Sequence, residues 1–514
     1  MSAPREILDL VARFEQQLEA YKSGQYNETQ LRREFLDPFF KALGWDIDNE
    51  QGYAEAYKDV IHEDAIRMGS ATKAPDYCFR IGGARKFFLE AKKPSVDIKQ
   101  DISPAHQLRS YGWSAKLPLS ILGDFEELAV YDCRIKPLKD DQASIGRIFY
   151  CTFHEYAEKW DWIYERFSRD AVLKGSFDKF AESSKGKRGT TEVDTAFLAE
   201  IEGWRKEIAQ NLAIRNPKLT QRELNFAVQR IIDRIIFLRI CEDRGIEDYG
   251  RLRALVNADR IYPRLTKLFE DADARYNSGL FHFKKEPERH EDPDELTLAL
   301  DLDDKLLREI LRGLYYPECP YQFSVFSADI LGQVYEQFLG TVIRLTDGHH
   351  AVPELKPEVR KAGGVYYTPT YIVDYIVRQT VGKLLDECSC RRESAHSSER
   401  EDQRGLTSTA TEKVDVRAAT AILSRVAKLS ILDPACGSGS FLIGAYQFLL
   451  DWHLQFYLAN NPVKWAKGGK PALVQSGKGW KLTIAERKRI LLANIYGVDI
   501  DTQAVEVAIM PSSA

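Results

Sequence analysis

The chain has 514 residues, 44% hydrophobic and 29% charged, which is the balance of a folded globular protein and excludes a disordered or fibrous one. At about 150 residues per domain, this length indicates roughly three domains. The formal net charge of -5 excludes a globally basic surface, although a local groove can still be basic. No apolar run is long enough to span a membrane, and residues 1–24 read as a charged amphipathic helix, unlike a signal peptide. We therefore expect a cytoplasmic protein with reduced cysteines and no membrane partner.

Residues 1–165 are predicted to form an α/β domain with a mixed sheet. Apolar residues at helical spacing over 31–43 stop at Gly44, which predicts an amphipathic helix with a glycine at its C-terminal end. Extended segments on either side of the Gly82-Gly83 pair predict a β-hairpin. The other predicted elements are a helix over 106–116 and two short strands within 121–133.

A helical region is predicted to follow a linker over residues 166–194, much of which is rich in Gly, Ser and Lys. Thr220 and Glu223 have the spacing of a capping box at the start of an amphipathic helix that stops at Gly245. Helical patterns continue beyond this point, so residues 195–350 are expected to form an all-helical connector domain.

Two acids and a lysine stand in the pattern of a metal-dependent nuclease. Asp76 precedes the first hairpin strand, and the Glu90-Ala91-Lys92 tripeptide ends the second. Glu90 and Lys92 are two apart in a strand and share a face, which Asp76 can join across the hairpin. Such carboxylates hold Mg²⁺ against a scissile phosphate, and the lysine orients or helps to deprotonate the attacking water. The tripeptide alone also occurs on solvated strands.

The whole segment resembles the PD-x-E-x-K nuclease domains of type I restriction subunits and of fused type IIG restriction-modification enzymes. In that family a Q-x-x-x-Y pair follows the acidic strand, and Gln107 and Tyr111 stand in this position. Being four residues apart, they share one helix face and can support the site. The resemblance also implies that Glu34 faces the metal, with a solvated glutamate on the helix surface as the alternative.

A glycine-rich segment follows a predicted buried strand over residues 430–432. Gly437 and Gly439 allow the backbone to pass close to a ligand, and a helix that begins near Ser440 would direct its N-terminal amides at the turn. A G-x-G pattern is also present in dinucleotide-binding sites, so the pattern alone does not decide the ligand.

The residues around these glycines are more specific. Residues 433–441, DPACGSGSF, look like the S-adenosylmethionine-binding motif of adenine-specific amino-methyltransferases. An upstream GGVYYTPT segment and a downstream strand that ends in Asp499 resemble the flanking segments of that family, and the acid would bind the ribose hydroxyls. The cofactor residues that the resemblance implies are Tyr366, Thr368, Pro369, Asp433, Ala435, Gly437, Gly439, Phe441, Asp499 and Ile500.

The N-P-P-Y tetrapeptide, with which these methyltransferases bind the flipped base, has no counterpart because the chain contains no Pro-Pro dipeptide. The sequence stops at Ala514, too soon after Asp499 for a Rossmann-like sheet to be complete. We therefore expect a truncated product or one half of a split enzyme. The polar tract over 390–413 predicts a disordered insertion or a long loop.

The resemblance to type IIG enzymes covers the chain. It implies a nuclease domain (1–165), a linker (166–194), a helical connector (195–350) and the front of a methyltransferase domain (351–514) with an incomplete Rossmann-like fold. The expected function is adenine-N6 methylation and Mg²⁺-dependent cleavage of double-stranded DNA, with a second polypeptide as a possible partner. The alternatives are a non-catalytic DNA- or S-adenosylmethionine-binding remnant and a nuclease that is active alone.

Overall fold

A computed structural model describes residues 2–53, 58–62, 74–183, 192–276, 280–285, 292–326, 340–356, 368, 370–390, 416–437, 439–469, 471–476 and 479–499. The chain divides into two compact units. The first comprises Met1–Asn277, Phe281–Ile330 and Ile343–Glu354, and the second comprises Ser278–Leu280, Leu331–Val342 and Leu355–Ala514. Within the described residues, no helix combines the length and the apolar character needed to cross a bilayer.

The first unit begins with helices that are separated by one irregular turn. The helix predicted over 31–43 is present, but it is divided by a π-helical turn at Arg32–Leu36. Gly44 lies after its end with a φ of 85°, as the glycine signal predicts. The helices are α1 (Arg5–Gln16), α2 (Leu18–Lys22), α3 (Glu28–Leu31) and α4 (Asp37–Ala42).

A six-stranded mixed sheet follows, with its strands in chain order across the sheet. The predicted hairpin is confirmed, since Gly82 and Gly83 both have positive φ and join two antiparallel strands. The third and fourth strands are parallel, and a helix, α5 (Ile102–Ser114), connects them. The strands are β1 (Val60–His62), β2 (Tyr77–Ile81), β3 (Ala84–Ala91), β4 (Leu119–Gly123), β5 (Glu127–Asp132) and β6 (Arg147–Thr152).

Apolar side chains cover both faces of this sheet. Phe87 and Leu89 of β3 belong to the core that includes the N-terminal helices. Phe88, one residue along, belongs to the opposite core, which includes Leu108 of α5. Because side chains alternate along a strand, Glu90 lies on the α5 side of the sheet, inside the fold.

The segment predicted as a linker is largely helical. The helices are α6 (Tyr156–Phe167), α7 (Arg169–Leu173) and α8 (Ser176–Ser183). The prediction was wrong here because Phe177 and Ala181, four residues apart, are both buried on one face of α8 despite the polar residues around them. Residues 184–191 lie outside the described residues.

Every regular element described between residues 195 and 313 is a helix, as predicted for the helical region. Thr220 and Glu223 form the capping box, and the helix that they start stops before Gly245, whose φ is 68°. The prediction was wrong at its end, where residues 341–345 are a strand. The elements are α9 (Val193–Arg215), α10 (Gln221–Asp243), α11 (Arg251–Ala254), α12 (Ile261–Tyr276), α13 (Asp304–Gly313), β7 (Thr341–Leu345) and β8 (Ala351–Leu355), with 3-10 turns at Phe153–Glu155, Leu255–Asn257 and Thr297–Ala299.

A segment after α13 completes the α5 side of the sheet. Val325 is buried in the same apolar core as Phe88. Its carbonyl accepts a hydrogen bond from Arg85 Nη1 at 3.1 Å, and the amide of Gln322 donates to Ser114 Oγ at 2.9 Å. The sheet and the helical region therefore share one core within the first unit.

The second unit holds the predicted strand, glycine turn and helix. Its two strands β9 (Ile431–Asp433) and β12 (Ile495–Gly497) are parallel, and β10 (Leu473–Ser476) and β11 (Gly479–Leu482) form a hairpin. The helices are α14 (Thr370–Val377), α15 (Lys383–Cys390), α16 (Val416–Val426), α17 (Ser440–Ala459), α18 (Pro462–Trp465) and α19 (Ile484–Asn494), with a π turn at Arg378–Gly382. Residues 391–415, which hold most of the predicted disordered insertion, lie outside the described residues.

Candidate functional site

Asp76 and the Glu90-Ala91-Lys92 tripeptide lie together at one end of the hairpin. The antiparallel register of β2 and β3 brings the residue before β2 alongside the end of β3. Asp76 Oδ2 accepts a hydrogen bond from the main-chain N–H of Ala91 at 2.7 Å. The carboxylate of Asp76 is therefore held against the strand that carries Glu90 and Lys92.

Glu90 is a buried carboxyl with one unsatisfied oxygen. Its side chain is 3% exposed, and Oε1 accepts a hydrogen bond from Lys92 Nζ at 2.7 Å. Oε2 is buried and has no hydrogen-bond partner among the described residues. Burial and the charge of Asp76 raise the pKa of Glu90 to about 8, although Lys92 opposes this shift. Without a further cation, burial therefore shifts this carboxyl toward its protonated form.

Lys92 is a charged hydrogen-bond donor in this arrangement. Burial lowers the pKa of Lys92, but the charge of Glu90 and the hydrogen bond to it outweigh burial, and the net pKa is raised. The ammonium group therefore keeps its proton near neutral pH. Its chemistry suits the orientation of a water molecule or a phosphate oxygen better than proton abstraction.

Gln107 and Tyr111 lie on α5, which packs on the face of the sheet to which Glu90 belongs. Tyr111 is 2% exposed. Burial and the charge of Glu90 raise the pKa of Tyr111, while a hydrogen bond with the Gln107 side chain lowers it. Tyr111 is thus close enough to Glu90 for the carboxylate charge to act on it, and Gln107 contacts Tyr111. The supporting role that the resemblance implies for both residues stays a prediction.

Glu34 and Glu28 are two glutamates of the N-terminal helices, and their charges act on different groups. Glu34 is exposed, its charge acts on Tyr21 and Tyr26, and its main-chain carbonyl accepts a hydrogen bond from Arg13. The structure does not bring it to Asp76 and Glu90. The charge of Glu28, in the first turn of α3, acts instead on both Glu90 and Lys92. Sequence reasoning missed Glu28, whose only local signal is its place directly after the helix N-cap.

Asp76 and Glu90 have the chemistry of a site for one hard cation. No group of three or more His, Cys, Asp and Glu side chains is spaced as a metal site in the described ranges. Mg²⁺, however, is commonly held by one or two carboxylates, with water and substrate phosphate completing its coordination. The free Oε2 of Glu90 fits this role because a cation there would supply the missing partner and favour the ionised carboxyl.

The glycine-rich turn of the second unit is held by main-chain hydrogen bonds to two acids. The N–H of Ala435 donates to Asp433 Oδ1 at 3.1 Å, and the N–H of Gly437 donates to Asp499 Oδ2 at 2.8 Å. The amide of Cys436 donates to the carbonyl of Val498 at 3.0 Å, which joins the turn to the end of β12. The acids at the ends of the two parallel strands therefore flank one turn, the arrangement expected of a nucleoside site.

Three of the other predicted cofactor residues, Gly439, Phe441 and Thr368, lie among the described residues. Gly439 has a φ of 81° and is the N-cap of α17, while Phe441 is half-buried in the first turn of that helix. Thr368 is partly exposed. Tyr366, Pro369 and Ile500 lie outside the described residues.

Comparison with known proteins identifies relatives of the whole chain. The family model of the DNA-methyltransferase domain of MmeI matches residues 408–511. The type II restriction enzyme and methyltransferase RM.Eco57I of Escherichia coli is 36% identical over 511 residues, which are 98% of this chain and 46% of the relative. This chain is a homologue of the type II restriction enzyme and methyltransferase proteins.

This chain is also similar to a more distant relative, the putative type II restriction enzyme and methyltransferase RM.MjaORFECS2P of Methanocaldococcus jannaschii. It is 23% identical over 576 residues, covering 94% of this chain and 43% of the relative. This chain thus spans less than half the length of either curated relative. Among solved structures, the type IIL restriction-modification enzyme MmeI in complex with DNA gives a TM-score of 0.34 at 16% identity, covering 60% of this chain and 35% of that chain.

Proposed function

We propose that this chain carries two centres of a restriction-modification protein that acts on double-stranded DNA. The first is a Mg²⁺-dependent nuclease centre at Asp76, Glu90 and Lys92 in a restriction-endonuclease-like sheet. The second is an S-adenosylmethionine site at Asp433 and Asp499 in a Rossmann-like domain that serves adenine-N6 methylation. The observation that carries the proposal is the pairing of two carboxylates with a charged lysine at the end of a buried hairpin.

In the nuclease centre, Asp76 and Glu90 would hold the ion, which supplies Lewis-acid stabilisation of the charge that develops on the phosphate. Lys92, which retains its proton, donates a hydrogen bond to the attacking water or to a phosphate oxygen. Gln107 and Tyr111 support this face from α5. The buried position of Glu90 limits access of bulk water, which strengthens each of these electrostatic contacts.

In the second centre, the chain's own residues bind and orient the cofactor. Asp499 would exchange its hydrogen bond from Gly437 for hydrogen bonds from ribose hydroxyls, and the amides that follow Gly439 would face the ligand at the start of α17. The N-P-P-Y tetrapeptide does not occur in these 514 residues.

The nuclease centre is tested by Lys92→Met, with Lys93→Met as the matched control. Lys93 is the next residue and is exposed, so both variants lose one positive charge from the same segment. We expect Mg²⁺-dependent cleavage of duplex DNA to fall about 10²-fold or more for Lys92→Met and to stay near the wild-type rate for the control. If the two variants cleave DNA at equal rates, Lys92 is not part of the nuclease centre.

The cofactor site is tested by calorimetry with S-adenosylmethionine on the full chain and on Asp433→Ala. We expect saturable binding that the substitution weakens by at least about tenfold, because the turn loses the acid that holds Ala435. Binding that is equally strong in the variant would contradict the assignment. Cofactor binding without any cleavage activity would favour a non-catalytic binding protein.

A further inference from the structure

Arg32 is a second cation at the carboxylate site, and neither the sequence pattern nor the proposed mechanism uses it. Arg32 Nη1 donates to Asp76 Oδ1 at 3.2 Å, and Nη2 donates to the main-chain carbonyl of Asp76 at 3.3 Å. Its side chain is 12% exposed. Glu28 and Arg32 are four residues apart, so one face of the segment supplies both groups to the site.

The position of the guanidinium group is fixed by an aromatic ring. The group lies 4.7 Å from the centre of the Tyr77 ring, and the Tyr77 hydroxyl donates to Asp37 Oδ1 at 2.7 Å. Arg32 is also the first residue of the π turn, a distortion that is common at functional positions. A guanidinium that stacks on an anchored ring can change its hydrogen-bond partner while its plane stays in place.

Arg32 and a divalent ion would compete for the same oxygen. Asp76 Oδ2 is held by the N–H of Ala91, so Oδ1, which Arg32 contacts, is the oxygen left to face an ion. Removal of Arg32 leaves the Ala91 hydrogen bond intact, so Asp76 should keep its orientation. With water-like screening, a unit positive charge about 6 Å from a divalent ion weakens ion binding on the order of tenfold.

We propose that Arg32 is a further catalytic residue, which pairs with Asp76 before the ion binds and then turns to the phosphate that the ion holds. This inference rests on the proposed nuclease function. A guanidinium group donates two parallel hydrogen bonds to phosphate oxygens, and the scissile phosphate would lie beside the ion that Asp76 holds. The same residue therefore opposes binding of the free ion and supports cleavage.

The test measures Mn²⁺ binding and DNA cleavage on the full chain. Mn²⁺ is the calorimetric probe because, like Mg²⁺, it prefers carboxylate and water oxygens. For Arg32→Gln we expect Mn²⁺ to bind about tenfold tighter in the absence of DNA, while Mg²⁺-dependent cleavage falls at least about 10²-fold. Arg32→Lys should return Mn²⁺ affinity to near the wild-type value, because it restores the charge, with only partial recovery of cleavage. Arg33→Gln, at an exposed neighbouring arginine, is the matched control for net charge.

The outcomes separate this inference from the proposed function. If wild-type protein binds no Mn²⁺, or if Asp76→Ala binds it as well as wild type does, the nuclease proposal itself is wrong. If wild type binds Mn²⁺ through Asp76 but Arg32→Gln binds it equally or more weakly, Arg32 is a structural partner of Asp76 and our inference is overturned. If Arg32→Gln binds Mn²⁺ more tightly than wild type but cleaves DNA at the wild-type rate, the proposed contact between Arg32 and the phosphate is wrong.

Discussion

The two candidate centres fix their acids in different ways. In the first unit, Glu90 lies in a central strand of a six-stranded sheet, with apolar cores on both faces. In the second, Asp433 and Asp499 lie at the ends of a single parallel strand pair and are held by main-chain amides. Apolar side chains on this pair and directly after it are exposed to solvent among the described residues: Leu432 is 60% exposed, Tyr496 45% and Val498 56%.

The two centres therefore depend on different features of the fold. A carboxyl in a packed sheet has a strongly shifted pKa, because neither water nor side-chain motion relieves its burial. The carboxylates of the second centre are held by main-chain amides at the end of an open strand pair. The first centre should therefore be sensitive to added volume and to pH, and the second should tolerate small changes in volume.

The largest expected effect comes from Gly112→Ala, on the side of α5 that packs against Cys133 and Ser120. An added Cβ would lie 2.5 Å from Cys133 Sγ and 2.7 Å from Cys133 Cβ, and the latter cannot move without β5. We expect the free energy of unfolding to fall by roughly 1–3 kcal/mol in urea. Cleavage should fall as well, because Gln107 and Tyr111 move with the helix.

The control for this prediction is Gly203→Ala, in the middle of α9. An added Cβ at Gly203 meets nothing within 4 Å. This variant should gain about 0.5–1 kcal/mol, because alanine restricts the unfolded chain more than glycine does. If both variants changed stability in the same direction, close packing at α5 would not be the cause.

A smaller effect is expected from Asp124→Asn, in the acidic turn after β4. Asp124 is fully buried, its Oδ1 accepts the Glu127 N–H at 2.6 Å, and its Oδ2 has no hydrogen-bond partner among the described residues. Burial, and then the charges of neighbouring glutamates, raise the pKa of Asp124 well above its usual value.

The sign of the pH dependence follows from that shift. Above pH 4 the unfolded chain has lost the Asp124 proton while the folded chain keeps it, so stability falls as pH rises toward the raised pKa. Asparagine lacks this dependence and keeps the hydrogen bond from Glu127. We expect Asp124→Asn to raise the free energy of unfolding by about 1 kcal/mol at pH 8 and by less at pH 5. The exposed Asp140→Asn should show no such difference.

The smallest effect is expected from Gly497→Ala, at the end of β12. Its added Cβ would lie 2.6 Å from Leu442 Cδ1, the mobile end of a side chain, and 3.2 Å from Cys436 Sγ. We expect stability to change by less than about 1 kcal/mol and affinity for S-adenosylmethionine to fall a few-fold as Cys436 shifts the turn. Gly469→Ala, with open space around its Cβ, is the control. A loss of stability as large as that of Gly112→Ala would contradict the contrast between the two centres.

Local pattern predicted those parts of the molecule that short-range geometry determines. The Gly82-Gly83 hairpin brings Asp76 beside Glu90 because antiparallel register follows directly from a tight turn. The glycine turn and the start of α17 at Ser440 are likewise local, as are the glycine end of α4 and the capping box of α10. The roles of these residues in catalysis and binding stay predictions.

The same local patterns do not predict contacts between residues that are far apart in the chain. Arg32 contacts Asp76, which is 44 residues away in the chain, and no local sequence pattern predicts that contact. The helix α8 was missed because Phe177 and Ala181 are its only buried side chains. Residues 341–345 pair with β8 through contacts that helical periodicity does not encode.

The position of Val325 bears on how such proteins could exchange parts during evolution or in the laboratory. A recombination point between α8 and α9 would transfer the sheet and leave behind the residue that fills its core and the carbonyl that Arg85 binds. The transplanted sheet would lack one buried side chain of this core and one hydrogen-bond acceptor of Arg85. A graft of this sheet that keeps its core should therefore extend through residue 326, with the intervening helices included.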